Sequence, residues 1–234
     1  MHRFAIYDLD KTITYAPTWT SFLLLASRLI APWRLLLLPV LGAVTIGYAL
    51  KLVGRGRLKE LAHALLIGPR VPVAKLEAVA ALFAEGVVPG ETYAGARARI
   101  AADRAEGYEV LIATASYALY VRAIAERLGV GTVIGTLAEV RDGYVLARIS
   151  GENCYGPAKL RMIEAWLAGQ GIARGEATVR FYSDHVSDAP TLAWADEAFA
   201  VNAHAPLREM AKARGWAVVD WERQPRNLLP LGRN

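Results

Sequence analysis

Asp8-Leu9-Asp10-Lys11-Thr12 follows directly on the apolar run Phe4-Ala-Ile-Tyr7. Side chains alternate along a strand, so Asp8 and Asp10 share one side of it. Two carboxylates at a strand end can hold a hard cation such as Mg²⁺. One of them can attack phosphorus while the other protonates the leaving oxygen. Three more polar groups have comparable settings. Thr114 ends the apolar run Val110-Leu-Ile-Ala113, where its hydroxyl can donate to a phosphate oxygen. Lys159 opens a helix after Gly156-Pro157, against the helix dipole's preference for acids there. An ammonium so placed makes sense facing a phosphate and a carboxylate. Asp184 ends the run Thr178-Val-Arg-Phe-Tyr182-Ser183, and Asp188 follows after a short polar loop. Each group alone has a bland reading as a turn, cap or surface residue. Their order, each at or just after the carboxyl end of a strand, is the specific signal.

The elements that must position these groups alternate. Helical patterns run from Thr92 to Glu106, Tyr117 to Leu128 and Ala158 to Ala168, and Gly107, Gly129 and Gly169 stand where helix ends favour positive φ. Strands alternating with helices of this length predict an α/β fold with a mostly parallel sheet, which binds ligands beyond the carboxyl ends of its strands. Leu137 to Ile149 reads as a hairpin turning at Arg141-Asp142-Gly143-Tyr144. Residues 15–85 break the alternation: they are mostly helical and strongly apolar, and read as an inserted cap. The catalytic core is then 1–14 and 86–234. Asn227 to Asn234 reads as a loose tail.

The chain has 234 residues, 54% hydrophobic, enough for one core domain with an insertion and against global disorder. Its net charge of +5 points to anionic partners. Cys154 is the one cysteine, so no internal disulfide forms and a reducing cytoplasm suits the chain; it reads as structural. A strand-like segment beginning at Arg3 leaves no room for a secretory signal. His63, His185 and His204 are not spaced as a metal cluster. His63 and His204 read as ordinary, and His185 as a contact at the site rim.

The insertion has no acidic residue from Tyr15 to Lys59, and Leu35 to Leu50 carries no charge. As a helix that stretch would span about 24 Å, short of the roughly 30 Å hydrocarbon core. Arg28 and Arg34 precede it; Lys51, Arg55, Arg57 and Lys59 follow. A single crossing conflicts with function, because Asp8 and Asp184 must share one site. Two readings stand: a lid packed on the core, or an interfacial segment on anionic membrane with Trp19, Trp33 and Tyr48 near the headgroups. The basic residues surround an apolar run rather than forming an aromatic-studded polar face, so nucleic acid is not expected as a partner.

Taken together, DxDxT, the hydroxyl after a strand, the lysine at a helix start and the DxxxD resemble the haloacid-dehalogenase superfamily, in the branch that contains phosphoserine phosphatase. The resemblance covers residues 3 to about 221. It implies a Rossmann-like core with a helical cap inserted after the first motif, and a phosphatase acting through an aspartyl-phosphate. By that resemblance Asp8 is the nucleophile and a Mg²⁺ ligand. Asp10 is general acid then base, with its carbonyl on the metal. Thr114 and Lys159 hold the phosphoryl group, with Lys11, Thr12, Ala115 and Ser187 also at the phosphate. Asp184 binds Mg²⁺, and Asp188 supports the metal or Lys159. Lys11 departs from the family's usual Gly or Ser, and His185 and Ser187 from the Gly and Asn typical of phosphoserine phosphatases. The apolar cap and the Cys-x-Gly-x-x-Lys of Cys154 to Lys159 resemble a bacterial phosphatidylglycerophosphate phosphatase of the same branch. The expected substrate is therefore a lipid phosphate or a small phosphoester such as phosphoserine, and the expected place the cytoplasm, at the inner face of the membrane. A phosphotransferase differs only in the acceptor. A non-catalytic module that binds a phosphorylated partner would not need both acids of DxD.

Overall fold

Phe4, Ala5, Ile6 and Tyr7 are all buried, and a strand apolar on both faces belongs in the middle of a sheet covered by helices. That strand, β1 (His2–Tyr7), opens a chain described from residue 1 to residue 222 in the computed structural model. It continues through α1 (Thr18–Ile30), α2 (Leu38–Ala49), α3 (Arg55–Leu66), β2 (Arg70–Pro72), α4 (Val73–Gly90), α5 (Ala94–Ala105), β3 (Glu109–Tyr117) and α6 (Ala118–Arg127). Then come β4 (Thr132–Arg141), β5 (Tyr144–Ser150), α7 (Pro157–Gly169), β6 (Ala177–Ser183), α8 (Ala189–Trp194), β7 (Glu197–Val201), α9 (Ala205–Arg214) and β8 (Ala217–Val219). The strands make one sheet in the order β2-β5-β4-β3-β1-β6-β7-β8. From β4 to β8 along that order every pair is parallel, while β5 and β2 add an antiparallel wing. This is the expected α/β class.

The expected hairpin is β4–β5. It turns at Asp142 and Gly143, both at positive φ (50° and 77°), as a two-residue primed turn requires. Two expectations need correction. The strand holding Thr114 does not end there: β3 runs on to Tyr117, with its pairing to β4 shifting register between Thr114 and Tyr117. Such a bulge bends the strand and re-aims its side chains. The left-handed glycine after α7 is Gly171 (φ 72°), not Gly169, because the helix keeps going through Gly169. The tail expected at Asn227–Asn234 lies outside the described residues.

The segment 15–85 folds as α1, a 3₁₀ stretch Pro32–Leu37, α2, α3, β2 and most of α4. Aromatic contacts tie it to the core: Phe22 stacks on Tyr120 of α6 at 4.4 Å between ring centroids, and Trp19 meets Tyr117 edge-on at 4.7 Å. On the same face of the sheet Tyr7 stacks on Tyr182, and Tyr182 on Phe199. Beneath this stack sits Asp103 of α5, fully buried. It accepts hydrogen bonds from Arg99 (2.6 Å), Arg180 (2.8 Å), the Tyr182 hydroxyl (3.4 Å) and the Tyr7 hydroxyl.

His63, expected to be ordinary, is buried with neither ring nitrogen hydrogen-bonded among the described residues. Burial holds its pKa down at about 4, against about 6.5 in an unfolded chain. Between those values the unfolded state binds a proton that the folded state refuses. Stability therefore falls as pH drops from about 6.5 towards 4, by up to about 3 kcal/mol. His63→Leu removes the unpaired nitrogens at similar volume. It is expected to raise Tm more at pH 5 than at pH 7.5; equal shifts in thermal scans at both values would reject this account.

Candidate active site

The site forms where β1 and β6 end side by side. The Asp8 amide donates to the Tyr182 carbonyl at 2.9 Å, extending the parallel pairing one residue past the strand and aligning Asp8 with the end of β6. Lys11 then turns the chain at φ 62°, a left-handed conformation that costs a residue with a Cβ roughly 1 kcal/mol. From β6 the chain passes through Asp184 into a 3₁₀ turn, Val186–Asp188. The third contributor is α7, entered through Gly156 at φ 60° with Pro157 at its start. Its first turn delivers Lys159, whose Nζ donates to Asp8 Oδ1 at 2.8 Å and to Asp188 Oδ2 at 2.6 Å. Ser183 Oγ also donates to Asp188 Oδ2, at 2.7 Å. The cost of a cation at a helix N-terminus is thus offset by two carboxylates.

Asp8 and Asp188 share this one ammonium, and Asp184 lines the same cavity. Burial pushes the Asp8 carboxyl up to about 8, with Asp188 and Asp184 adding to the rise against Lys159. Burial and Asp188 lift Asp184 to about 6. Burial acts to lower Lys159, but Asp188 and Asp8 override it and keep the ammonium charged.

Asp10 is held differently. Its Oδ1 accepts from the Thr18 amide (2.8 Å) and hydroxyl (2.7 Å) at the start of α1, and its Oδ2 from Ser116 Oγ (2.9 Å) beside the β3 bulge. Tyr120 Oη lies 2.8 Å from Thr18 Oγ1, completing the chain of contacts. Asp10 thereby joins the inserted segment to the core.

A cavity of about 260 Å³ gathers Asp8, Asp10, Lys11, Thr114, Ala115, Lys159, Asp184, Ser187 and Asp188. Of the residues expected at the site, Thr12 is the one the structure does not bring there. The turn at Lys11 carries it inward, fully buried, its hydroxyl without a partner among the described residues. His185 lines the cavity as expected, and its Nδ1 accepts from the Ser187 amide at 3.1 Å. His204, expected to be ordinary, stacks on His185 at 4.3 Å with Nδ1 2.9 Å from the Asp184 carbonyl. Cys154 is buried, its thiol pushed up to about 12 by burial, which fits a structural role.

Sequence reasoning missed Arg55 and Tyr155, which line the cavity and stack with the guanidinium carbon 3.8 Å from the ring centroid. It also missed Lys59. This α3 lysine reaches across to the core, donating to the Ala115 carbonyl and to Asn153 Oδ1 (2.6 Å). Burial and then Arg55 hold its pKa down at about 8. Both cations counted in the sequence only as flanks of an apolar run, and no motif marked them.

Among the described residues no three His, Cys, Asp or Glu side chains form a ready-made metal cage. Mg²⁺ does not need one, since it keeps several waters and takes one or two carboxylates plus substrate phosphate oxygens. The donor set fits: Asp8 and Asp184 are hard oxygen donors lining one cavity, and Asp188 Oδ1 is buried without a partner among the described residues.

A family profile described as haloacid dehalogenase-like hydrolase matches residues 5–193. The chain is similar to the phosphoserine phosphatase SerB1 of Mycobacterium tuberculosis (strain ATCC 25618 / H37Rv), 29% identical over 226 residues, covering 93% of this chain and 70% of the relative. It is similar in structure to a protein with unknown function from Bordetella pertussis Tohama I, at TM-score 0.83 and 28% identity, covering 94% of this chain and 99% of that one. The fold is also that of a phosphoserine phosphatase solved as a phospho-aspartyl intermediate analogue, at TM-score 0.61 and 18% identity, covering 97% of both chains.

Proposed function

The chain belongs to the haloacid dehalogenase-like hydrolase family and is a phosphatase, and from that premise we propose that it hydrolyses a phosphate monoester through an aspartyl-phosphate on Asp8. The observation that carries this reading is the Lys159 ammonium bridging Asp8 and Asp188 in the cavity that Asp10 also lines. An Asp8 carboxylate oxygen attacks phosphorus, the bond from phosphorus to the ester oxygen breaks, and Asp10 gives that oxygen its proton. Water then attacks the phosphorus of the aspartyl-phosphate and gives up a proton to Asp10, the bond from phosphorus to the Asp8 oxygen breaks, and Asp8 is released with inorganic phosphate. Lys159 and Thr114 hold the phosphoryl oxygens, and Asp188 keeps Lys159 aimed and charged. Mg²⁺, held by Asp8, Asp184 and the Asp10 carbonyl, would neutralise phosphoryl charge.

The substrate we propose carries an apolar remainder, as a lipid phosphate such as phosphatidylglycerophosphate does. A second cavity of about 420 Å³, lined by Leu23, Leu24, Leu41 and Leu58 among others, shares Asp10, Pro17, Arg55 and Ala115 with the catalytic one. A phosphate at Asp8 could therefore keep its apolar part out of water. The named relative SerB1 supports the other choice, phosphoserine. The test is phosphate release with Mg²⁺ and with EDTA from phosphoserine, small sugar phosphates and the lipid phosphate in micelles. Mg²⁺-dependent release, at least about 10²-fold above the EDTA control and greatest from the lipid, is expected. Release unaffected by EDTA would overturn the metal, and release from phosphoserine alone would overturn the lipid.

A further inference from the structure

Pro32–Ala49 has a mean hydropathy of 1.3, and none of it is buried inside the protein. Within it, α2 is Leu-Pro-Val-Leu-Gly-Ala-Val-Thr-Ile-Gly-Tyr-Ala, apolar on every side and without a charge. A helix apolar all round belongs in a core or a bilayer, and here one side alone has a partner. Leu38, Leu41, Thr45 and Tyr48 recur at helical spacing and line the apolar cavity that meets the catalytic one at Asp10. The opposite side faces water, with Ile46 63% and Leu50 66% exposed. Trp33 (59%), Leu36 (80%) and Leu52 (78%) extend the same surface beyond both ends of the helix. Among the described residues, eight of the twelve exposed large apolar side chains fall between Leu29 and Leu52. Isolated exposed leucines are ordinary, whereas a continuous patch marks a binding surface.

Charge identifies what covers it. No acid occurs from Tyr15 to Lys59, and exposed Arg28 and Lys51 border the patch, while Arg57 beyond them pairs with Glu60 at 3.1 Å. Apolar side chains bordered by cations fit an anionic lipid leaflet. Spanning is ruled out by geometry. α1 and α3, which precede and follow Pro32–Ala49, pack against each other and hold Asp10 and Ala115 of one active site, so both ends of the stretch lie on the same side.

We propose that the surface from Leu29 to Leu52 docks on an anionic bilayer with α2 lying in the interface, and that the cavity beneath α2 is the path by which the apolar part of a membrane-held phosphate ester reaches Asp10. The path rests on the lipid-phosphate reading above; the docking rests on the surface alone, and its test uses no turnover. Flotation of the full chain with phosphatidylglycerol/phosphatidylcholine vesicles is expected to carry it with the lipid at low salt and to release it at high salt. Trp33 fluorescence is expected to shift to the blue on binding. L36S, I46S and L50S combined are expected to weaken binding at least about tenfold, while hydrolysis of water-soluble p-nitrophenyl phosphate stays unchanged. R28E with K51E is expected to weaken it as well. Three outcomes would overturn the proposal: protein left unbound by anionic vesicles at low salt, undiminished binding of the triple variant, or a concentration-dependent dimer dissolved by the same substitutions, which would make the occupant a second copy. Bound vesicles with no lipid hydrolysis would sink the substrate reading and leave the docking intact.

Discussion

Asp8→Asn is expected to reduce phosphate release by at least about 10³-fold, whichever ester is the substrate. The amide keeps the size and position of the carboxylate but has no nucleophilic oxygen. The same change is expected to leave Tm unchanged or to raise it. In the native centre Asp8 shares the Lys159 ammonium with Asp188, and burial pushes it up to about 8. A neutral amide in its place lowers that crowding, while Lys159 keeps Asp188 at 2.6 Å. Loss of activity with gain of stability would show that the charge is kept for chemistry. Near wild-type turnover of this variant would end the covalent mechanism. Lost turnover with a collapsed Tm would instead make Asp8 a structural anchor.

The largest loss of stability is expected from Asp103→Ala. This carboxylate is fully buried and accepts from two arginines and two tyrosine hydroxyls. Removing it strands the Tyr7 and Tyr182 hydroxyls inside the protein and leaves Arg99 and Arg180 held only from the exposed side, by Glu106 and Glu197. The cost is about 3 kcal/mol, or roughly 6–12 °C in Tm for a chain of this size. Because the network lies off the catalytic cavity, KM for a soluble ester is expected to stay put. Thermal scans and steady-state kinetics on one preparation check both halves. A Tm within 2 °C of wild type, on the order of the shift per kcal/mol at this size, would mean the arginines are held by Glu106 and Glu197 alone.

What was legible in the sequence was local. Phe4–Tyr7 is apolar on both faces and Thr178–Tyr182 is rich in β-branched and aromatic residues, so strand, position and polar terminus were readable from a few residues. Asp8, Asp184 and Asp188 were legible because they follow strands with fixed places in a parallel sheet, and Lys159 because a cation at a helix start stands out. Contacts across the fold were not. β2 is three residues ending in Pro72, too short for a pattern, and it exists because β5 lies beside it. Thr18 and Ser116 flank no motif, yet both hold Asp10. Lys59 and Arg55 reach the site because α3 folds back over the core, and no spacing records that. Thr12 erred the other way, since its place in the motif hid the left-handed turn that sends its side chain inward.

The clasp on Asp10 bears on timing. Two of its three hydrogen bonds come from Thr18 at the start of α1, and one from Ser116 of the core. Any swing of α1 away from the sheet breaks the first two together and leaves the carboxylate free to rotate about its own bonds. The group we propose as proton donor is therefore aligned by the start of α1 as much as by the core, so its readiness for chemistry is tied to the seating of that helix.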